Sequence, residues 1–354
     1  MCLLSAVRWP KFTRRMSSIR IILPYYGKLP ANFAHWLRSA EMNETIDFLI
    51  VTDLAVSAAS PNVEVVNISL EELLERMESH YGQKIAFTGL HKLCDFKPLY
   101  GEIFADYVRD YDFWGYCDCD MIFGDIRAFV TEDILAAYNS ILGLGHLHLQ
   151  RVNDPLYADV VRSTVSKGHS FTDMLSTDRT TGFDEMPFGV NAHYYKLHPD
   201  LTWTGFTPTG HCFADLTKYS PLFRDTFHIY KRYAGSFYAR MSDEFPCWKR
   251  EPGPYLRCTV YQKRGVKLFE VGLDEQGRIA EREVLYAHFS KRQVKVKEQG
   301  REQYLLIPNA IIPDRKLTPC YLRRLEWRVS PYAAFYGKRL KQRLKSLRKK
   351  LGLS

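Results

Sequence analysis

The stretch 112–125, Asp-Phe-Trp-Gly-Tyr-Cys-Asp-Cys-Asp-Met-Ile-Phe-Gly-Asp, constrains the fold more than any other part of the chain. An aromatic, apolar run (Phe113, Trp114, Tyr116) leads into two aspartates one residue apart, Asp118 and Asp120. Apolar residues resume at Met121, Ile122 and Phe123. Aspartate is depleted inside strands, and a buried charge is costly unless it is paired or bound to a metal. The pattern therefore reads as a buried strand whose end delivers two hard carboxylates to a turn. Such oxygen ligands suit Mg²⁺ or Mn²⁺, usually completed by substrate phosphates. The plain alternative is a solvated acidic turn; Asp-x-Asp is a common tripeptide, and it is the apolar strand before it that favours a cation.

What precedes this segment alternates between two periodicities. Residues 19–25 read as a buried strand ending at Pro24, 47–52 as a second, and 63–68 as a third. Between them, residues 32–42 place Phe33, Trp36, Leu37 and Ala40 on one helical face. Ser69 with Glu72 forms a capping box for a helix to about residue 79. Residues 93–107 read as a helix with Pro98 near its first turn. This succession predicts an α/β fold with a mostly parallel central sheet and helices on both faces. Ligands of such sheets sit at the carboxyl ends of the strands, where Tyr25, Asp53, Asp118 and Asp120 fall. Further on, residues 141–149 read as one strand carrying His146 and His148, and 154–165 as a helix. Residues 204–265 read as loop-rich, and 267–271 and 284–290 as short strands around a turn at 274–278.

Several function classes are disfavoured. No G-x-G-x-x-G follows the first strand and no G-x-x-x-x-G-K-[ST] occurs, so neither dinucleotide nor P-loop binding is indicated. The eight cysteines form no C-x-x-C pair, which argues against a zinc site or a disulfide scaffold and for reduced thiols. No apolar run reaches the roughly 18 residues of a membrane span. The net charge of +9 is concentrated after Arg323, where only Glu326 opposes the lysines and arginines. Interleaved stacking aromatics are missing there, which disfavours nucleic acid as a partner.

A third candidate metal ligand lies far downstream. Residues 286–292, Tyr-Ala-His-Phe-Ser-Lys-Arg, deliver His288 on a strand and follow it with Lys291 and Arg292. A neutral imidazole is a good ligand for Mn²⁺, and the two cations suit phosphate oxygens. With these residues in view, the chain resembles a glycosyltransferase of the GT-A fold. The strand 19–25, Asp118-Cys119-Asp120 and His288-Phe289-Ser290-Lys291 resemble that superfamily's nucleotide strand, D-x-D motif and H-F-x-x-K-like element. Residues 92–100 resemble the K-x-x-D-x-x-R helix of capsular-polysaccharide and mannosyltransferase-like members, with Lys97-Pro98 near the arginine position. The combined pattern is similar to bacterial cell-surface polysaccharide transferases.

The resemblance implies a metal-dependent transfer of a sugar from a UDP-sugar to a growing surface glycan or lipid-linked saccharide. Asp118, Asp120 and His288 would hold Mn²⁺ or Mg²⁺, with Asp118 also near the ribose. Lys291 would neutralise the leaving diphosphate and Arg292 would bind phosphate. Tyr25 and Asp53 would meet the uracil and ribose, Lys97 would stand near the arginine position of the donor-binding helix, and Asp95 would either hydrogen-bond a sugar hydroxyl or cap a helix N-terminus. The H-F-x-K-like element leans toward a retaining outcome. Asp243 and Glu244 suit a general base toward the acceptor, although Ser242 with both acids in the first turn reads more readily as a helix start; Asp184-Glu185 and Asp215 are weaker candidates. A non-catalytic nucleotide-sugar-binding or scaffold protein is the alternative. The expected organisation is a lead-in at 1–18, a catalytic domain at 19–325 and a basic tail at 326–354. In the tail, Leu340, Leu344, Leu347 and Leu351 fall at helical spacing among cations. That is the pattern of an amphipathic helix docking on an anionic inner-leaflet surface, which gives a cytoplasmic, membrane-peripheral location as the expectation.

Overall fold

The computed structural model describes residues 15–185, 188–207, 210–212, 214–215, 256–289, 294–298, 300–307 and 310–329. Strands β1 (Ile19–Pro24), β2 (Asp47–Thr52), β3 (Val63–Asn67) and β4 (Phe113–Cys117) run parallel, in the spatial order β3-β2-β1-β4. Next in sequence is the three-residue β5 (Met121–Phe123), which leaves this sheet. The hairpin β6 (Ser140–Leu144) and β7 (Leu147–Arg151), with β8 (Thr202–Trp203), completes seven strands, β7 lying antiparallel on β4.

Burial on both faces explains the apolar strands. In β1 and β2, Ile19, Ile21, Phe48 and Ile50 enter one core while Ile22, Leu49 and Val51 enter the other, as period-two alternation requires. Helix Phe33–Glu41 covers the first face with Trp36, which is fully buried against Phe33, Phe48 and Phe123. Each such aromatic contributes roughly 1.5–3 kcal/mol on burial. Helix Leu70–Tyr81 covers the second face. Ser69 and Glu72 form the expected capping box, and Gly82 ends the helix in a left-handed conformation, φ 65°.

Two local readings change. Residues 93–107 are not one α-helix but a 3₁₀ helix, Leu90–Leu99, followed by the single turns Tyr100–Ile103 and Ala105–Val108. Pro98 removes a backbone donor inside the helix, and Phe104 departs from helical geometry at φ −113°, ψ 34°. Residues 141–149 are not one strand either. Leu142 and Gly143 take positive φ, 74° and 60°, and the register shifts there, so the chain bulges and then turns at Gly145-His146.

The C-terminal half is more β-rich than expected. After the short strands β9 (Phe206–Thr207), β10 (Gly210–His211) and β11 (Ala214–Asp215) come β12 (Arg257–Arg264), β13 (Lys267–Leu273) and β14 (Ile279–Glu283). Then follow β15 (Tyr286–His288), β16 (Lys295–Val296), β17 (Gln303–Ile307) and β18 (Ala310–Pro313). Six of these form a second sheet, β14-β13-β12-β17-β18-β16, so residues 257–264, expected as loop, are a strand. Helix Pro319–Val329 packs Leu322 and Leu325 on one face of that sheet and runs through position 326. Ile122 of β5 packs into the core on the sheet's other side, with Tyr261, Leu268 and Leu306. The remaining strand, β15, joins the two halves. It pairs antiparallel with β5, Tyr286 opposite Phe123 and His288 opposite Met121, and parallel with β11.

Candidate metal and diphosphate site

Strand β4 ends at Cys117, and the amide N–H of Asp118 donates to His146 O at 2.9 Å. The Asp118 and Asp120 side chains point away from Cys117, which is buried in the core. The β5–β15 pairing then brings His288 opposite this turn, and the Phe289 N–H donates to Asp120 O at 2.8 Å. His288 Nε2 lies 3.5 Å from Asp118 Oδ2 and 3.3 Å from Asp120 Oδ1. The ligand atoms of the three residues all fall within 4.8 Å of one another, the two carboxylates half-buried and the imidazole buried. Two hard oxygens and one imidazole nitrogen at that spacing form an incomplete coordination sphere for a divalent cation, with phosphate oxygens or water to fill the rest.

The strand ends beside this trio are the ones expected. The Tyr25 N–H donates to Val51 O, and its hydroxyl donates to Lys28 O at 2.8 Å. Burial, with Cys119 and Asp120 close by, pushes the Tyr25 phenol up to about 12. Asp53 follows β2 at the same edge and is exposed.

Lys97 lies beneath the Asp-x-Asp turn. Its Nζ donates to Asp118 Oδ1 at 2.7 Å and to Gly145 O at 2.8 Å, and it lies 3.1 Å from Asp184 Oδ2. Burial alone would lower the ammonium's pKa, but the two carboxylates outweigh it and hold it well above the usual lysine value. One cation serves two acids unequally. Burial raises the Asp118 carboxyl too, yet Lys97 and His288 together carry it well below the usual carboxylate range. Asp184 is pushed up to about 7 by its burial above all; Lys97 opposes this as the next largest influence, and the charge of Asp118 adds a smaller upward push. The weak candidate Asp184 is thus an integral part of the site's floor.

Asp95, expected at the donor sugar, is placed elsewhere. It is fully buried, and its oxygens accept from Lys92 Nζ and from the N–H groups of Thr181, Gly182 and Phe183 at 2.8–3.0 Å. With all these donors already satisfied, the carboxylate ties the 3₁₀ helix to the loop carrying Asp184. Asp95 therefore acts as an acceptor of backbone N–H groups, though from a loop and not a helix start, and is not aimed at a donor sugar. Lys291, Arg292, Asp243 and Glu244 lie outside the described residues, as does the tail from residue 330. Of Asp215 the backbone is described, paired with His288. Neither His146 nor Lys97's second carboxylate was legible as a partner of the trio; the first depends on where the β6–β7 turn lands, the second on the loop that Asp95 anchors. The cysteines at 94, 117, 119, 212 and 320 are free thiols.

The described chain is therefore an α/β protein in which a parallel sheet presents an Asp-x-Asp/His cluster at its carboxyl edge. It belongs to the family described as a family of unknown function, DUF6625, which it matches over residues 21–315. No curated protein matches it significantly. Among solved structures, the crystal structure of apo mouse xyloside xylosyltransferase 1 is similar with a TM-score of 0.37 at 10% identity, covering 67% of this chain and 94% of that one. Among the described residues no helix is long and apolar enough to cross a membrane.

Proposed function

We propose that this protein is a metal-dependent glycosyltransferase that takes its sugar from a nucleoside diphosphate, UDP being the expected nucleotide. The observation that carries this reading is the convergence of Asp118, Asp120 and His288 at the carboxyl edge of the parallel sheet. Asp118, Asp120 and His288 would hold a divalent ion there, whose positive charge would suit the donor's diphosphate. Asp120 and His288 would supply two ligands, and Asp118 would offer Oδ2 while Lys97 keeps Oδ1. Tyr25 and Asp53, at the ends of β1 and β2, stand where a nucleoside would lie. Lys97 and Asp184 hold the floor of the pocket in one arrangement, so the acids need not reorganise as charge develops.

Lys291 and Arg292 stand as proposals from the sequence for the leaving diphosphate, and Asp243 or Glu244 for the acceptor hydroxyl. A surface glycan or lipid-linked saccharide as acceptor, and an anionic membrane met by the basic tail on the cytoplasmic side, belong to the same proposal.

Donor hydrolysis should be measured across UDP-, GDP- and CMP-sugars, with Mn²⁺, with Mg²⁺ and after exhaustive EDTA treatment. Turnover of a UDP-sugar that vanishes on chelation and returns with metal is the expected result. Full activity without metal would sink the reading. Tight metal-dependent nucleotide binding without any turnover would give the non-catalytic nucleotide-sugar-binding alternative instead.

A further inference from the structure

The turn between β6 and β7 meets the metal trio at several points. Gly145 O accepts from Lys97, and His146 O accepts from the Asp118 N–H. The His146 ring lies flat on the His288 ring, centroids 4.3 Å apart and planes 22° from parallel. Its Nδ1 is 3.0 Å from the hydroxyl of Tyr286, a fully buried residue two positions before His288 on β15. Tyr286 also meets the His146 ring edge-on, at 5.4 Å and 75°. The turn itself is held close to Asp184: a Cβ at Gly145 would lie 3.1 Å from Asp184 O and 3.4 Å from its Oδ2. His146 is thereby fixed by its own backbone, by its hydrogen bond and by the tyrosine ring.

Rotation about the last torsion of a histidine is soft, so a ligating imidazole needs neighbours to fix its plane. A flat ring at 4.3 Å leaves little room for His288 to turn edge-on, since edge-to-face pairs sit farther apart. We propose that His146 is a positioning residue: by stacking on His288 it keeps Nε2 facing Asp118 and Asp120, and so sets the site's affinity for a divalent cation. This rests on the metal reading above.

The test uses the whole protein and Mn²⁺ alone, with free Mn²⁺ followed by electron paramagnetic resonance. Wild type should bind, and His288→Ala should bind far more weakly. His146→Ala should weaken binding by about 10–100-fold, the usual consequence of losing a ligand's orienting partner. His146→Phe, which keeps a flat ring but cannot coordinate, should return affinity to within a few-fold of wild type. Should His146→Ala fail to fold, His146→Leu against His146→Phe makes the same comparison at similar bulk. Unchanged affinity in His146→Ala overturns the proposal. Phenylalanine as weak as alanine also overturns it, because His146 would then be a ligand. Absence of Mn²⁺ binding in wild type would remove the metal reading and the proposal together, and the wild-type arm shows which of these has failed.

Discussion

Asp120→Ala is expected to abolish measurable Mn²⁺ binding and to cut donor turnover by about 10²–10³-fold, with the unfolding transition close to that of wild type. The stability half of this expectation comes from what Asp120 does in the fold. Its side chain is half-buried and faces His288, while the structural contact at this position is the backbone carbonyl, which accepts from Phe289 whatever the side chain. Asp118 makes a poorer probe, because its carboxylate also holds Lys97 and its loss would disturb the floor of the site. Calorimetric titration with Mn²⁺, donor hydrolysis and a thermal melt on one preparation check the three parts. A folded Asp120→Ala protein with wild-type turnover would refute the site assignment.

Lys97→Met should be the most destabilising single change in the site. It leaves the half-buried Asp118 and the buried Asp184 without their shared cation; breaking a fully buried pair from one side costs about 3–5 kcal/mol, and the exposure of Asp118 sets the expectation at the lower end. The pH dependence has a definite sign. A buried carboxylate without its cation has a raised pKa in the folded state, so its contribution is complete at acid pH and is lost as pH rises through that pKa. Because Lys97 and His288 hold Asp118 well below the usual carboxylate range in wild type, the gap between wild type and variant should begin to open in acid, below that range, and keep widening toward pH 8, with a slope no steeper than about 1.4 kcal/mol per pH unit for each proton involved. Asp184→Asn in the Lys97→Met background should recover part of the loss, since neighbouring charges couple. Urea unfolding at several pH values measures this. A gap that stays constant with pH would show that Lys97 acts through packing instead of charge.

The parallel half of the fold was legible because its signals are local. The apolar strands at 19–24, 47–52 and 113–117 are marked by composition, and the Ser69–Glu72 box by two residues. His288 was found by its chemistry and by resemblance. What hid was non-local or conformational. Nothing in the run 141–149 announces that Leu142 takes a positive φ, yet that bulge is what turns His146 toward His288. Asp95 carries no mark separating a sugar ligand from an acceptor of backbone N–H groups; the loop that fills it lies far along the chain. The second sheet escaped because β12 alternates poorly: Thr259, Val260, Tyr261, Gln262 and Lys263 are all buried, with one face under Leu322 and the other toward Ile122.

Strand β5 has only three residues and takes its neighbours from β15, which enters the chain after most of the sheet has already been made. Asp118 and Asp120 thus lie in the first half of the sequence, while their imidazole partner comes from a strand far downstream that must pair with β5 to reach them. Closing so long a loop is entropically slow. A ribosome-bound or truncated N-terminal half would carry an acidic turn with no imidazole to complete it. Metal affinity would therefore report on the docking of β15 against β5, a contact made between distant parts of the chain.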